Sequence, residues 1–262
     1  MILEKTSSWL NLKTIAGLSR LLKRLCIHYK RGREYVHSPD LQYQKKLSRI
    51  ELMRLRAFYA PKRYVFLYLD EFTFYRHPTV ANAYEQAGHF QALAVRSYAS
   101  NTHARILAAV NIMTGQVLWL QRSKINLRAL TDFWYILHDH YTDAETIYVA
   151  LDNWPVHFHP NVLAPLQKQI FLGQPPLPSN WSSEPSPKAQ HDELPIQLLP
   201  LPTYASWLNP IEKLWRWLKQ DILHLHRHSK NWPELKALVK AFLQQFDHGS
   251  SPLLRYIGLL PP

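Results

Sequence analysis

The chain has 262 residues, of which 47% are hydrophobic, so it can bury a sizeable core in one main domain of about 200 residues. Its single cysteine, Cys26, excludes an intramolecular disulfide and favours a reducing compartment. No apolar stretch approaches the ~18 residues of a membrane span, and we expect a cytoplasmic protein without membrane contact.

The positive charge is concentrated in the first quarter of the chain. The formal net charge is +12, and residues 1–63 hold fifteen Lys or Arg against four Asp or Glu. The remaining residues hold sixteen Lys or Arg against fifteen Asp or Glu. A polyanion such as DNA would therefore bind mainly to the first segment, through neutralised phosphates. The alternative is a solvated basic surface.

Apolar residues first recur at helical spacing between Leu12 and Leu25, with basic residues on the other faces, and a basic arm follows at 28–33. This pattern fits the recognition helix and arm of a helix-turn-helix motif. Such a motif needs about three helices, so residues 1–35 are expected to be a partial motif, completed by missing residues or a separately encoded portion. An ordinary amphipathic helix on the main domain is the alternative. The expected DNA-binding residues here are Lys13, Arg20, Lys23, Arg24, Lys30, Arg31 and Arg33.

A second basic helix is expected within residues 36–62. Ser38 is a suitable N-cap, Pro39 suits the first helical position, and Asp40 places an acid in the first turn. The helix ends before Pro61, with basic residues outward, and reads as a linker helix that could lie along a phosphate backbone.

From residue 63 the pattern changes to that of a mixed α/β sheet with helices on both faces. The predicted strands are 64–70 with a continuation at 72–75, then 92–98, 106–111, 116–121, 146–152 and 196–199. The predicted helices are 127–141, 162–169, 209–225 and 233–246. Residues 173–197 are rich in Pro and Ser and predict a surface loop, partly disordered or in contact with DNA.

Two aspartates end apolar runs that read as buried strands. Asp70 ends FLYLD and Asp152 ends IYVALD. A charged carboxylate at such a position is costly unless a cation offsets it, and a divalent metal ion is the usual partner. If the two strands are neighbours, both side chains lie at the same edge of the sheet. Glu71 would point to the opposite face and is left out of the predicted site.

Glu212 lies in the helix-forming string NPIEKLWRWLK. With Asn209 as N-cap and Pro210 at the first position, Glu212 could simply close a capping box. However, Glu212, Arg216 and Lys219 share one helical face, which suits a metal ligand with phosphate-binding cations beside it. Together with the two aspartates, this favours the metal-ligand interpretation.

Asp70, Asp152 and Glu212 are therefore the predicted catalytic and metal-binding residues. Carboxylates that hold two ions ~3.5–4 Å apart can support phosphodiester cleavage. The expected ions are two Mg²⁺, with Mn²⁺ as a plausible substitute.

Several residues near these acids have two interpretations. Asn153 and His157 could orient Asp152, water or substrate, or could satisfy loop backbone instead. Trp154 and Trp207 could stack on an unpaired base, although core packing is the default for tryptophan.

Three blocks of the chain, YLDEF, VALDNWPVH and LPTYASWLNPIEKLWRWLK, resemble those of mariner-like DDE transposases of bacterial insertion sequences. The stretch KRGREYVHSPDLQYQKK also looks like that family's junction between DNA-binding and catalytic regions. The resemblance implies a ribonuclease H-like catalytic domain over residues 63–262, in which Asp70, Asp152 and Glu212 bind two Mg²⁺ ions.

The resemblance also implies a function and its partners. Such a DNA transposase cleaves phosphodiester bonds at transposon ends and transfers the strands into target DNA at a TA dinucleotide, without a covalent enzyme intermediate. A homodimer on paired inverted repeats and association with the nucleoid are expected. The chain departs from the family in its short N-terminal region and in the long interval between Asp152 and Glu212.

Three alternatives stay open. The first is a ribonuclease H-like nuclease without strand transfer. The second is an inactive DNA-binding remnant of a mobile element. The third is a histidine-rich zinc-binding module, since HxH pairs occur at 157/159, 224/226 and 226/228.

Overall fold

The structure, a computed structural model, describes residues 14–27, 37–86, 88–89 and 91–260. The chain forms two compact units that divide between Val36 and His37. In the first unit, helix α1 (Ile15–Arg24) begins after Thr14, whose hydroxyl accepts the Gly17 N–H at 3.1 Å. Of the DNA-binding residues predicted within residues 1–35, Arg20, Lys23 and Arg24 are exposed on this helix. The others, Lys13, Lys30, Arg31 and Arg33, lie outside the described residues.

The second unit is built on a five-stranded mixed sheet. Its strands are β1 (Tyr64–Tyr75), β2 (His103–Asn111), β3 (Val117–Arg122), β4 (Thr146–Leu151) and β5 (Ile196–Pro200). Their order is β3-β2-β1-β4-β5. Strand β2 is antiparallel to β1 and β3, whereas β4 is parallel to β1 and β5.

Helices cover both faces of this sheet, as predicted. They are α2 (Tyr43–Tyr59), α3 (Leu127–His140), α4 (Pro160–Leu163), α5 (Ile211–Leu218), α6 (Trp232–Gln244) and α7 (Ser251–Ile257). Alternation along β1 divides the core in two. Phe66 and Tyr68 pack with α2, α5, α6 and α7, whereas Leu67 and Leu69 pack with α3 and α4. Among the helices in the described part of the chain, none is long and apolar enough to cross a membrane.

Helix α2 begins later than predicted, because Ser38 does not cap it. The Ser38 hydroxyl instead donates to the Thr203 carbonyl at 2.6 Å. Asp40 accepts hydrogen bonds from the Thr203 N–H at 3.0 Å and from the buried Lys46 ammonium at 2.8 Å. These contacts fix the start of α2 to the loop that leads to α5.

Three predicted elements differ from the structure. The predicted strand 92–98 does not form, since this segment is bonded to Ser229 instead: Ser97 donates to the Ser229 carbonyl at 2.9 Å, and the Ser229 hydroxyl donates to the Val95 carbonyl at 2.9 Å. The predicted helix 162–169 stops at Leu163, because Pro165 has no N–H to continue it. The predicted helix 209–225 is α-helical only to Leu218 and then widens into a π-helical turn.

Candidate functional site

Asp70 lies within β1, at the level where the neighbouring strand β4 ends. The last β1–β4 pair is Tyr68 with Ala150, and Asp70 lies two residues further on. Strand β1 continues to Tyr75, paired with β2 alone, so Asp70 does not end its strand as its apolar run suggested. The side chain points to the α5 face, where its Oδ2 accepts the Nε1–H of buried Trp215 at 2.8 Å.

Asp152 directly follows β4 and also lies two residues beyond the last β1–β4 pair. Its Oδ1 accepts the Trp154 backbone N–H at 3.0 Å, which closes a turn at the end of the strand. The same Oδ1 lies 3.2 Å from Nδ1 of His157. The Asp152 side chain is 54% exposed, so it is held from behind and is accessible from solution.

Glu212 is in the first turn of α5, three residues before Trp215. The alternative interpretation of Glu212 as part of a capping box does not apply, since the Asn209 side chain makes no cap hydrogen bond to α5. Instead, the buried Asn209 amide donates to the Leu69 carbonyl at 3.0 Å, next to Asp70 in the chain. This contact brings the start of α5 to the strand position that precedes Asp70.

The three carboxylates are close enough to alter one another's protonation. Burial raises the pKa of Asp70 to about 8, with further contributions from the negative charges of Glu212, Glu71 and Asp152. Burial also raises the pKa of Glu212; Lys219 and Arg216 oppose this change, and Asp152 adds to it. The carboxylates at this edge of the sheet therefore repel one another when they are ionised.

The pKa of Asp152 is shifted in the opposite direction from those of Asp70 and Glu212. Burial alone would raise its pKa, but His157 and the Trp154 N–H outweigh that effect and hold the pKa below the usual range. The fully buried His157 has its pKa raised to about 10, because Glu71 and Asp152 together overcome the opposing effect of burial. His157 is thus a buried cation at neutral pH, and it contributes to stability below about pH 6.5 and loses that contribution as the pH rises through about 10.

Glu71 was missed by sequence reasoning. Alternation correctly placed it on the opposite face from Asp70, but it does not follow that Glu71 is remote from the site. His157 comes to that face and lies 2.6 Å from Glu71 Oε1. The sequence signal that could have indicated this contact is His157 in the string NWPVHF, next to Phe158, since both side chains are buried. Within the described residues, Glu71, Asp152 and His157 are the only group of three with ligand atoms within 4.8 Å of one another.

The other predicted site residues surround Glu212 and Asp152. Arg216 and Lys219 are near enough to lower the pKa of Glu212, and both line a groove of about 670 Å³ that also contains Trp207. Trp207 is 53% exposed in this groove. The Asn153 amide donates to the Leu201 carbonyl at the end of β5.

The donor set on the α5 face suits a divalent cation. It consists of carboxylate oxygens, which Mg²⁺ and Mn²⁺ prefer. Burial and three neighbouring carboxylates raise the pKa of Asp70, and no cationic side chain of the described residues contributes in the opposite direction. In addition, the amide oxygens of Asn153 and Asn209 are buried without a hydrogen-bond partner. A bound divalent cation would offset the negative charge of the ionised carboxylates, so these residues suit Mg²⁺ or Mn²⁺.

A family model described as DDE superfamily endonuclease matches residues 65–236, which include all three predicted acids. No curated protein matches the chain. Among solved structures, the Mos1 mariner paired end complex with Mn is 15% identical, with a TM-score of 0.60 over 100% of this chain and 70% of that chain. The Mos1 strand transfer complex is 15% identical, with a TM-score of 0.53 and coverage of 94% and 66%.

A pre-cleavage Mos1 transpososome is 14% identical, with a TM-score of 0.56 over 94% of this chain and 67% of that chain. At these identities the likeness shows the fold, which is the ribonuclease H-like fold of these transposase structures. The predicted fold is therefore confirmed, and the family match confirms the DDE resemblance of the three blocks.

Proposed function

This chain belongs to the DDE superfamily endonucleases, and from that premise we propose that it is a DNA transposase. It cleaves phosphodiester bonds at transposon ends and transfers the strands into target DNA. The observation that carries this proposal is the shared location of the three acids at one edge of the sheet. Asp70 and Asp152 each lie two residues beyond the last β1–β4 pair, and the Asp70–Trp215 and Leu69–Asn209 hydrogen bonds bring the start of α5, which contains Glu212, to the same edge. The Mos1 structures with this fold, described as paired-end and strand transfer complexes, support it.

In the proposed site, Asp70, Asp152 and Glu212 hold two Mg²⁺ ions, and Mn²⁺ can replace them. Such ions polarise a phosphoryl oxygen and lower the pKa of an attacking water. The Mos1 paired end complexes with Mn and with Mg support a divalent-metal requirement.

The chain's own side chains prepare these ligands. Trp215 holds Oδ2 of Asp70, and the Trp154 N–H holds Oδ1 of Asp152, so the second oxygen of each carboxylate is left for a cation. His157 supports Asp152 from behind. Asn153 ties the loop after β4 to the end of β5 and thereby limits movement of Asp152.

DNA binding and catalysis are assigned to different parts of the chain. The basic residues of the segment 1–35, followed by a linker helix within 36–62, bind element ends, and the domain 63–262 performs the chemistry. A homodimer on paired ends, a separately encoded helix-turn-helix portion, insertion at TA and a cytoplasmic location belong to the same proposal.

Arg216 and Lys219 are expected to bind phosphates near Glu212. The double substitution Arg216→Gln with Lys219→Gln should reduce the slope of log affinity against log salt by about 2, since each duplex phosphate contact contributes about 0.9. Fluorescence anisotropy with a labelled duplex in EDTA, at several salt concentrations, measures this slope. The control is Lys240→Gln, which removes an exposed lysine of α6 and should leave the slope unchanged. An unchanged slope in the double variant would exclude phosphate contacts by this pair.

Strand joining is the activity that separates a transposase from a simple nuclease. A plasmid that carries both genomic flanks of the reading frame should yield cleaved ends and then products joined at TA, when incubated with the full chain and Mg²⁺. Sequencing of the junctions identifies the joined products. Cleaved ends without junctions would favour a nuclease that lacks strand transfer. Binding without cleavage would favour an inactive remnant.

A further inference from the structure

The contacts of Glu71 and His157 connect the two faces of the sheet. Asp70 and Glu71 are adjacent in β1, so their side chains lie on opposite faces. On the face away from α5, Glu71 Oε1 lies 2.6 Å from Nε2 of His157, whose side chain is 0% exposed. A histidine with no access to water is oriented by its protein partners alone.

The other nitrogen of His157 faces Asp152. Nδ1 lies 3.2 Å from Asp152 Oδ1 and is buried, and among the described residues it has no aligned hydrogen-bond partner. Two contacts with Trp154 hold His157 in place: the backbone N–H of His157 donates to the Trp154 carbonyl at 3.0 Å, and the Trp154 ring packs edge-on against the imidazole at 5.3 Å. Among the contacts of the described residues, the acceptor that Nδ1 approaches is the carboxylate of Asp152.

We propose that Glu71 and His157 are positioning residues for Asp152. Glu71 holds the imidazole through Nε2, and the imidazole holds Oδ1 of Asp152 through Nδ1. Oδ2 of Asp152 is thereby left for a cation shared with Asp70 and Glu212. This inference rests on the proposed function, because it assigns these residues a role in forming the metal site. A carboxylate and histidine that act through a metal ligand commonly set its orientation and affinity.

No metal ion is needed to join Glu71 to His157. Two ligands of one ion, each about 2.0–2.2 Å from it, lie about 3.0–3.5 Å apart. The Glu71–His157 separation of 2.6 Å is that of a hydrogen bond. Glu71 and His157 therefore contact each other directly. In this proposal they support the metal ligand Asp152 from the opposite face of the sheet.

The test compares Mn²⁺ affinity in the full chain with Glu71→Gln, His157→Gln and the double variant, by electron paramagnetic resonance of unbound Mn²⁺. Each single variant should bind Mn²⁺ about 10- to 100-fold more weakly. The double variant should be no weaker than the more affected single variant, because both residues act through one series of contacts. Thermal unfolding shows whether each variant is folded.

Glu145→Gln is the matched control. Glu145 precedes β4 and pairs with Arg63, which precedes β1, so the control removes an acid at the opposite ends of the same two strands. It should bind Mn²⁺ like the wild type. Folded Glu71 and His157 variants that also bind like the wild type would overturn the inference. A wild-type chain without Mn²⁺ affinity would overturn the proposed function and this inference with it.

A second measurement uses the wild-type chain and does not depend on folding of the variants. In a chain with ¹⁵N-labelled histidine, Mg²⁺ should shift the ring resonances of His157 and leave those of His103, at the start of β2, unchanged. A His157 ring that does not respond to Mg²⁺, in a chain that binds the ion, would show that His157 is not coupled to the metal site.

Discussion

Replacement of Asp152 by alanine is expected to lower the rate of Mg²⁺-dependent DNA cleavage at least ~10³-fold. Divalent ions contribute several kcal/mol of charge stabilisation to phosphoryl transfer, and each 1.36 kcal/mol corresponds to tenfold in rate. Asp70→Ala and Glu212→Ala should have comparable effects, since all three carboxylates are proposed to hold the same ions. Single-turnover nicking of a supercoiled plasmid measures the rate.

DNA affinity should be retained in these variants, because they remove negative charge and leave the basic residues in place. The control is Asp143→Ala, which loses the same charge at an exposed position before β4. It should cleave at the wild-type rate. Asp152→Ala with more than one tenth of the wild-type rate would contradict the assignment of Asp152 as a metal ligand.

Asp70→Asn is expected to stabilise the metal-free chain by about 2–4 kcal/mol at pH 8. The variant removes a buried negative charge beside Glu212, Glu71 and Asp152, whereas an asparagine oxygen can still accept the Trp215 N–H. Urea unfolding in EDTA measures the free energy. Added Mg²⁺ should stabilise the wild type and have little effect on the variant.

The sign of the pH dependence follows from the raised pKa of Asp70, which is about 8 in the folded chain against 3.8 ordinarily. Between these values the folded state keeps a proton that the unfolded state releases, so wild-type stability falls as pH rises. Asparagine does not titrate, and the advantage of Asp70→Asn should grow from pH 5 to pH 8. Asp143→Asn is the exposed control. An advantage independent of pH, or a loss of stability, would contradict the prediction.

The sequence was sufficient to predict the five strands of the sheet, although it also predicted a strand at 92–98 that does not form. It placed Asp70 and Asp152 at one edge on the condition that their strands are neighbours, which they are. The apolar runs before Asp70 and Asp152 identify buried strands, and parallel pairing brings their continuations to one edge. The sequence could not predict the hydrogen-bond partner of the Asn209 side chain, because residue preferences at helix starts favour a cap at that position. That side chain bonds instead to the Leu69 carbonyl, a partner that only the packing of α5 on β1 supplies.

Glu71 illustrates a second limit. Strand periodicity determines the face on which a side chain lies, but not which distant side chain will pack against it. The turn at Pro155–Phe158 brings His157 to Glu71 across 86 residues of sequence. Similarly, residues 92–98 are predicted to form a strand, but Val95 and Ser97 bond instead to the distant Ser229, a partner that the local sequence does not indicate.

The adjacency of Asp70 and Glu71 makes the site depend on the register of β1. Opposite Ala108 and Leu107 of β2, these two acids serve opposite faces of one strand. A slip by a single residue would exchange them, turning the longer acid toward Trp215 and the shorter one toward His157. One inserted or deleted codon upstream in this strand would thus invert the site while leaving every one of its side chains present in the chain.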